Sequence, residues 1–310
     1  MIFKIFIRCS LSVRAGAHFA FTRHASTMSE DSGKLVNNHI GFLGSGKMAQ
    51  ALVKGFLSSG VIKGSQITMS DLFRKEDTLL FEPIREIQEK FGIEYVSHND
   101  QMARKSDVIF ACVKPNVILS ALEHISPFLE HKLVVSVAAG ITMQQIQALI
   151  PPTARLIRLM PNTPCLVQRG TAIYSTGSNV LPEDVDCMTT LCAGQFMVFE
   201  QIPESMINAA TGISGCGPAY MFLVAEALAD GGVRMGVPRA LAHKLAVGTI
   251  LGAGEMMKQT NENPAKLKND VCSPGGATIA AVHALEEGGV RAAFMNAVRA
   301  ATLRSKELAE

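Results

Sequence analysis

The stretch Ile40-Gly41-Phe42-Leu43-Gly44-Ser45-Gly46-Lys47-Met48-Ala49 decides the fold. His39 to Leu43 reads as a buried strand and Lys47 to Ser58 as a helix, with GxGxxA between them. Gly44 permits a tight turn, Gly46 lets a pyrophosphate approach the backbone, and the small Ala49 lets the helix pack on the sheet. The helix N-terminus then faces the negative charge. Alone, GxGxxA describes any Gly-rich turn; set between the first strand and the first helix, it describes a dinucleotide-binding turn.

Outward from this turn, short apolar runs alternate with helical segments. Strands are expected at Gln66 to Ser70, Glu94 to Ser97, Asp107 to Val113, Leu133 to Ala138, Leu156 to Met160, Thr171 to Ser175 and Phe196 to Gln201. The charged stretch Lys75 to Gly92 reads as a helix that Pro83 should break or kink. This alternation is the signature of a parallel sheet covered by helices. Beyond Gln201 the chain is helical and rich in Ala and Gly, divided by GISGCGPAY, RMGVP and CSPGGAT. The expectation is an α/β protein with a leader over 1–36, a Rossmann-like parallel-sheet domain over 37–202 and an all-helical domain over 203–310. Ala242, Ala246, Gly248, Gly252, Ala253 and Gly254 would let helices approach closely, in a bundle within one chain or shared between subunits.

The second strand ends at Ser70-Asp71, where the adenosine ribose of a dinucleotide normally lies. A carboxylate there accepts from both ribose hydroxyls and repels a 2′-phosphate, favouring NAD, whereas Ser70, Arg74 and Lys75 could instead welcome the phosphate of NADP. The two signals leave the preference open. Asn99 and Val113-Lys114-Pro115 would lie along the same carboxyl edge, although Lys114 also reads as a solvated lysine at a strand end.

Composition narrows the partner. A net charge of +2 over 310 residues, without a basic face interleaved with aromatics, argues against nucleic acid or an anionic membrane and for a small molecule. No run reaches the roughly 18 to 20 uninterrupted apolar residues of a membrane helix. Cys9, Cys112, Cys165, Cys187, Cys192, Cys216 and Cys272 are scattered with no CxxC pair, which argues for reduced core thiols and gives no basis for a metal site. The first 29 residues carry Lys4, Arg8, Arg14 and Arg23 and no acid before Glu30, like a mitochondrial presequence. An untargeted leader, or a cytoplasmic form starting at Met28, is the alternative.

Near the C-terminus, Ser273-Pro274-Gly275-Gly276-Ala277-Thr278 joins a Gly-Gly turn to a helix start between two hydroxyls. Free backbone amides and hydroxyls suit a carboxylate, though a simple helix cap would use the same residues.

Taken together, GFLGSGKMAQAL, ACVKP, SVAAGIT, LMPNTP, TGISGCGPAY, ALADGGVRMGVPR and LKNDVCSPGGATIAAVHALE resemble the pyrroline-5-carboxylate reductases, in order and spacing, from Ile40 to Leu308. The resemblance implies reduction of 1-pyrroline-5-carboxylate to L-proline, with hydride from NADPH or NADH. It places Thr278 on the imine nitrogen and Ser273 with the Gly276 and Ala277 amides on the substrate carboxylate, Thr278 and Ser273 being the catalytic pair. It places Ser45, Lys47 and Met48 on the pyrophosphate, Asn99 on the adenosine side, and Val113, Lys114 and Ala139 on the nicotinamide half. Asp270 falls on the cofactor side and Glu204 near the bound ring. It also implies dimerisation through the C-terminal helices, with larger rings of dimers. Asp71, Asn208 and Cys272 depart from the family's common pattern. His243 and His283 read as ordinary histidines of Ala-rich helices. The rival readings are another imine or β-hydroxyacid reductase, which would leave the SPGGAT string unexplained, and a non-catalytic dinucleotide sensor.

Overall fold

The computed structural model describes residues 38–71 and 78–308. The leader, with its targeting signal, and Arg74 and Lys75 lie outside the described residues. The N-terminal half runs β1 (Ile40–Leu43), α1 (Lys47–Ser58), β2 (Ile67–Ser70), α2 (Thr78–Phe91), β3 (Glu94–Val96), α3 (Asn99–Lys105), β4 (Val108–Ala111), α4 (Pro115–Ile125), β5 (Leu133–Ser136), α5 (Met143–Gln147), β6 (Arg155–Pro161), β7 (Gly170–Thr176), α6 (Pro182–Cys192) and β8 (Phe196–Gln201). Every residue of β1, β2, β4 and β5 is buried, as strands covered on both faces must be.

The eight strands form one sheet in the order β3-β2-β1-β4-β5-β6-β7-β8. From β3 to β6 all neighbours are parallel, with Leu43 level with Ser70 on one side and Ala111 on the other. One face is closed by α1, α2 and α6 around Phe42, Phe56 and Phe110, whose rings lie 5.1 to 6.0 Å apart. The other is closed by α3, α4 and α5 around Ile109, Ile118, Leu122 and Ile146. Strand order reverses between β1 and β4, and the crevice at the carboxyl ends of that pair is where such sheets bind ligands.

Two local expectations are corrected. β7 is antiparallel to β6, because the connection from Asn162 to Arg169 is too short for the crossover that a parallel partner needs. The helix also runs on through Pro83, which sits in its N-terminal half, while Ile84 and Ile87 just beyond are buried against the sheet.

After Gln201 only helices follow: α7 (Glu204–Ser214), α8 (Gly217–Arg234), α9 (Arg239–Thr260), α10 (Pro264–Asp270), α11 (Ala277–Glu287) and α12 (Val290–Glu307). α12 lies close against α7, where a Cβ on Gly212 would come within 2.9 Å of the Val298 carbonyl oxygen. α8 and α9 form a hairpin around Ala229, Ala242 and Ala246. The glycines of α9 face open space: a Cβ on Gly248, Gly252 or Gly254 would have no neighbour within 4 Å among the described residues. Much of this region's apolar surface is exposed. Among the described residues, one helical stretch, Glu204–Arg234, is long and apolar enough by length and composition to cross a membrane. It is not a continuous helix, since α7 ends at Ser214 and α8 begins at Gly217.

Candidate active site

The dinucleotide turn is built by steric necessity. Gly44 has φ +97°, and a Cβ there would lie 2.8 Å from Val113 Cγ1. Its amide donates to the Ser70 carbonyl at 2.8 Å, tying the turn to the end of β2. Gly46 is different: it starts α1 in extended conformation, and a Cβ on it would meet nothing within 4 Å among the described residues. Among the described residues, the space a phosphate would need is therefore open above it, and no side chain caps the helix start.

Ser45 is turned away from that space. It is buried, and both its N–H and its hydroxyl donate to Asp71 Oδ2, at 2.7 and 2.8 Å. Both donors that were expected to face a pyrophosphate are thus engaged by the acid at the end of β2. Lys47 and Met48 stand in the first turn of α1, exposed and half-buried respectively. Asn99 begins α3, and its side-chain oxygen is buried with no hydrogen-bond partner among the described residues. Such an acceptor wants a donor, which a bound adenosine would carry. Val113 and Lys114 follow β4, with Lys114 exposed just before Pro115 opens α4. Ala139 follows β5 and packs against Met160, Ile173 and Ile207. Glycine turn, uncapped helix and orphaned acceptor all lie at one carboxyl edge and fit a dinucleotide.

The SPGGAT string forms a second candidate site. Gly275 has φ +69°, Gly276 precedes α11 in extended conformation, and no side chain caps that helix either. The Gly276 amide is already turned onto the Ser273 carbonyl at 3.0 Å, so the amides left for an anion are those of Ala277 and Thr278 rather than of Gly276. The Ser273 hydroxyl sits beside Gly276, where a Cβ would lie 2.4 Å from its oxygen. Ser273 and Thr278 are both exposed, so the chain's own nucleotide edge does not close over them. Asp270 ends α10 and accepts from Lys266 at 3.2 Å in an exposed pair on that helix, not from the dinucleotide turn.

Glu204 is held in a polar network. Its Oε1 accepts from Arg158 at 2.9 Å and from the Met143 amide at 2.7 Å. Arg158 is only 1% exposed and also donates to Asn208, which in turn accepts from Ser305. These residues join β6, α5, α7 and α12 into one polar joint beneath the helical region. Asn162 makes a second joint, accepting from the Thr171 amide and donating to the Ser214 carbonyl. Neither joint was anticipated, although an arginine inside the apolar run Leu156 to Met160 was a signal: a buried charge needs a partner. Asn208, one of the departures, fits the joint as a neutral acceptor. Burial pushes the Cys112 and Cys192 thiols well above their ordinary range and Cys187 to about 11, consistent with inert core cysteines.

A glycine turn at the switch point of a parallel sheet places the chain among the Rossmann-type, dinucleotide-dependent oxidoreductases. Residues 39–140 match the family described as NADP oxidoreductase, coenzyme F420-dependent, and residues 204–308 match pyrroline-5-carboxylate reductase dimerisation. Pyrroline-5-carboxylate reductase of Glycine max is 42% identical over 87% of this chain and 95% of its own length. Pyrroline-5-carboxylate reductase 2 of Homo sapiens is 40% identical over 87% of this chain and 83% of its own. The crystal structure of Plasmodium falciparum pyrroline carboxylate reductase with NADP bound superimposes with a TM-score of 0.79 at 33% identity, covering 88% of this chain and 99% of that one. The chain belongs to the pyrroline-5-carboxylate reductase family.

Proposed function

We propose that the chain reduces 1-pyrroline-5-carboxylate to L-proline with a reduced nicotinamide dinucleotide, NADH or NADPH. The observation that carries this is the uncapped, hydroxyl-flanked start of α11, a cradle for a small carboxylate that a dinucleotide-binding protein of another kind would not need. A dinucleotide would be held by Gly44, Gly46, Lys47 and Met48 at its pyrophosphate, with Asp71 and Asn99 on the adenosine side and Val113, Lys114 and Ala139 toward the nicotinamide. When bound it supplies the hydride for the ring imine carbon, and the imine nitrogen gains a proton.

The chain's own groups position and polarise. The Ser273 hydroxyl and the Ala277 and Thr278 amides hold the substrate carboxylate at the positive end of α11. The Thr278 hydroxyl hydrogen-bonds the imine nitrogen. A hydroxyl is too weak an acid to protonate it directly, so Thr278 orders the water that does. Glu204, bound to Arg158, positions α7 rather than touching the ring.

In this reading the nucleotide-binding domain spans 37–202 and the substrate and dimerisation domain 203–310. The exposed cradle of one chain is completed by the nucleotide edge of a second, and dimers associate further into rings. The apolar faces within Glu204–Arg234 meet protein, not lipid. The basic leader directs the chain to mitochondria.

The test follows oxidation of NADH and NADPH by absorbance with pyrroline-5-carboxylate, in wild type and Thr278→Ala. Substrate-dependent oxidation yielding proline, cut about 100-fold in the variant with nucleotide affinity retained, is expected. Binding of both nucleotides without turnover of this substrate would overturn the proposal in favour of a sensor or a different imine.

A further inference from the structure

The helical half of the chain grips the loop that carries Ala139, at three points. This loop, residues 137–142, joins β5 to α5, and its Ala138 and Ile141 are buried in the core on the sheet face covered by α3, α4 and α5. Ala139 leans the other way, onto Met160, Ile173 and the α7 residue Ile207. Gly140 has φ +80°, and a Cβ there would lie 2.7 Å from Leu308 Cβ and 3.2 Å from the Ser305 carbonyl oxygen, so the end of α12 rests on its backbone. The loop then closes on Met143, whose amide donates to Glu204 Oε1 at 2.7 Å. The same oxygen accepts from Arg158 at 2.9 Å, so one atom ties the first amide of α5 to a buried guanidinium of β6. From its other nitrogen Arg158 donates to Asn208 at 3.3 Å, and Asn208 also accepts from Ser305 at 3.1 Å.

Arg158 is the hub of this arrangement. An interior charge is costly to leave unpaired, and here it holds Glu204 against α5 on one side and, by way of Asn208, the α12 end against Gly140 on the other. Glu204 reaches the loop from outside the nucleotide edge: the cleft of about 450 Å³ that it shares with Ser175, Thr176 and Gln201 lies level with the first half of β6, where Thr176 pairs with Ile157. A loop locked at Gly140 and at Met143 leaves Ala139 little freedom. Hydride transfer depends steeply on how closely the two rings approach, and a misplacement of about 1 Å can cost about 100-fold in rate. We propose that Glu204 and Arg158 are positioning residues for hydride transfer, which set the β5–α5 loop against the nicotinamide ring through the Met143 amide and the α12 end. The inference rests on the reading of Ala139 as a wall of the nicotinamide half of the site.

The experiment compares the full chain with Glu204→Gln, Glu204→Asp and Ser305→Ala. Gln keeps the side-chain length and one oxygen for both Arg158 and Met143, whereas Asp keeps the charge but is one methylene too short to span them. With pyrroline-5-carboxylate, kcat and KM are measured at saturating NADH, and calorimetry gives the affinities of NADH and of ADP-ribose, which lacks the nicotinamide. If wild type binds NADPH more tightly, NADPH and the 2′-phosphorylated fragment take their places. Glu204→Asp should lower kcat by about tenfold or more and weaken the whole nucleotide several-fold, with KM for pyrroline-5-carboxylate within about threefold and fragment affinity within about twofold of wild type. Glu204→Gln should keep kcat within about threefold of wild type, and Ser305→Ala, which loosens the α12 end without touching the ion pair, should lower it about threefold with the same split. The reverse order, with Asp near wild type and Gln impaired, would show that Glu204 only neutralises Arg158 and would overturn the proposal. So would equal weakening of nucleotide and fragment, the mark of general loosening, or a change confined to KM for pyrroline-5-carboxylate, the mark of an acid that meets the substrate. Wild type that binds the nucleotide without turning over pyrroline-5-carboxylate would remove the proposed reaction alone, and the comparison of nucleotide with fragment would still decide the role of the loop. Wild type that binds neither would remove the dinucleotide site and this inference with it.

Discussion

Gly44 and Gly46 both belong to the GxGxxA pattern, and at the scale of single residues the structure separates their reasons for being glycine. At Gly44 the constraint is internal, since φ is +97° and Val113 crowds the missing Cβ. At Gly46 the described residues impose no such constraint, since none approaches within 4 Å. The two alanine variants should therefore fail differently. Gly44→Ala should lose about 1–3 kcal/mol of stability, read as a lower urea midpoint. Gly46→Ala should unfold like wild type yet bind NADH at least tenfold more weakly, because its methyl fills the space a pyrophosphate needs. Equal losses of affinity with no change of stability in either would contradict this division. The pattern was legible in the sequence, but the division was not, because it depends on how near Val113 comes from the next strand of the sheet.

The elements carry their own tests at the seams between them. Arg158 of β6 is buried and its charge is met by Glu204 at the start of α7, whose side chain is 29% exposed. Glu204→Ala would leave that guanidinium without its carboxylate and should cost about 3 kcal/mol in urea unfolding, with Glu204→Gln milder because an amide oxygen can still accept. A loss below about 1 kcal/mol would mean that water replaces the carboxylate. At the opposite edge of the sheet, His39 Nε2 meets the Thr68 hydroxyl at 2.8 Å, and that hydroxyl donates to Glu94. Burial lowers the His39 pKa below its ordinary 6.5, against the opposing pull of Glu94 and Asp107 and with a small push from Lys105. The unfolded chain then binds the proton first, so this stability is present above about pH 6.5 and is lost as pH falls toward the folded value. The Glu94 carboxyl, held low first by Lys105, adds a loss of the same sign further into acid. The urea midpoint should fall between pH 7.5 and 5.5, and His39→Asn should flatten that slope; a midpoint that rises on acidification would refute the assignment. Strands such as β1, β4 and β5 were readable as unbroken apolar runs because both faces are covered. The reversal at β7 was not, because apolar alternation looks the same in either direction and only the length of the Asn162 to Arg169 connection decides it.

At the scale of the whole molecule, the helical half is what the sequence described least completely. Its small residues were read as helix contacts, yet within one chain only Ala242 and Ala246 of that α9 set are buried. Around them, Phe222, Leu223 and Leu251 are each about two-thirds exposed. A groove of about 660 Å³ lies open beside them, lined by Ile213, Met221, Phe222, Ile250, Leu251 and Val298. An apolar surface of this kind is not a stable outer face for a monomer, and the match of residues 204–308 to a dimerisation family names its use. Periodicity could not reveal this, because a helix face buried against a second chain has the same pattern as one buried against its own. The cradle proposed for the substrate shares the consequence, since Ser273 and Thr278 stand exposed in the single chain. Assembly and turnover should therefore be lost together. Leu251→Glu, which places a charge in the groove, should shift the chain toward monomer in sedimentation velocity and lower kcat at least tenfold. Its affinity for NADH should stay within a few-fold of wild type, because the glycine turn lies in the other half of the chain. A monomeric variant with full activity would show that one chain closes its own site, and the exposed cradle would then need a movement of α11 onto the sheet edge instead of a partner.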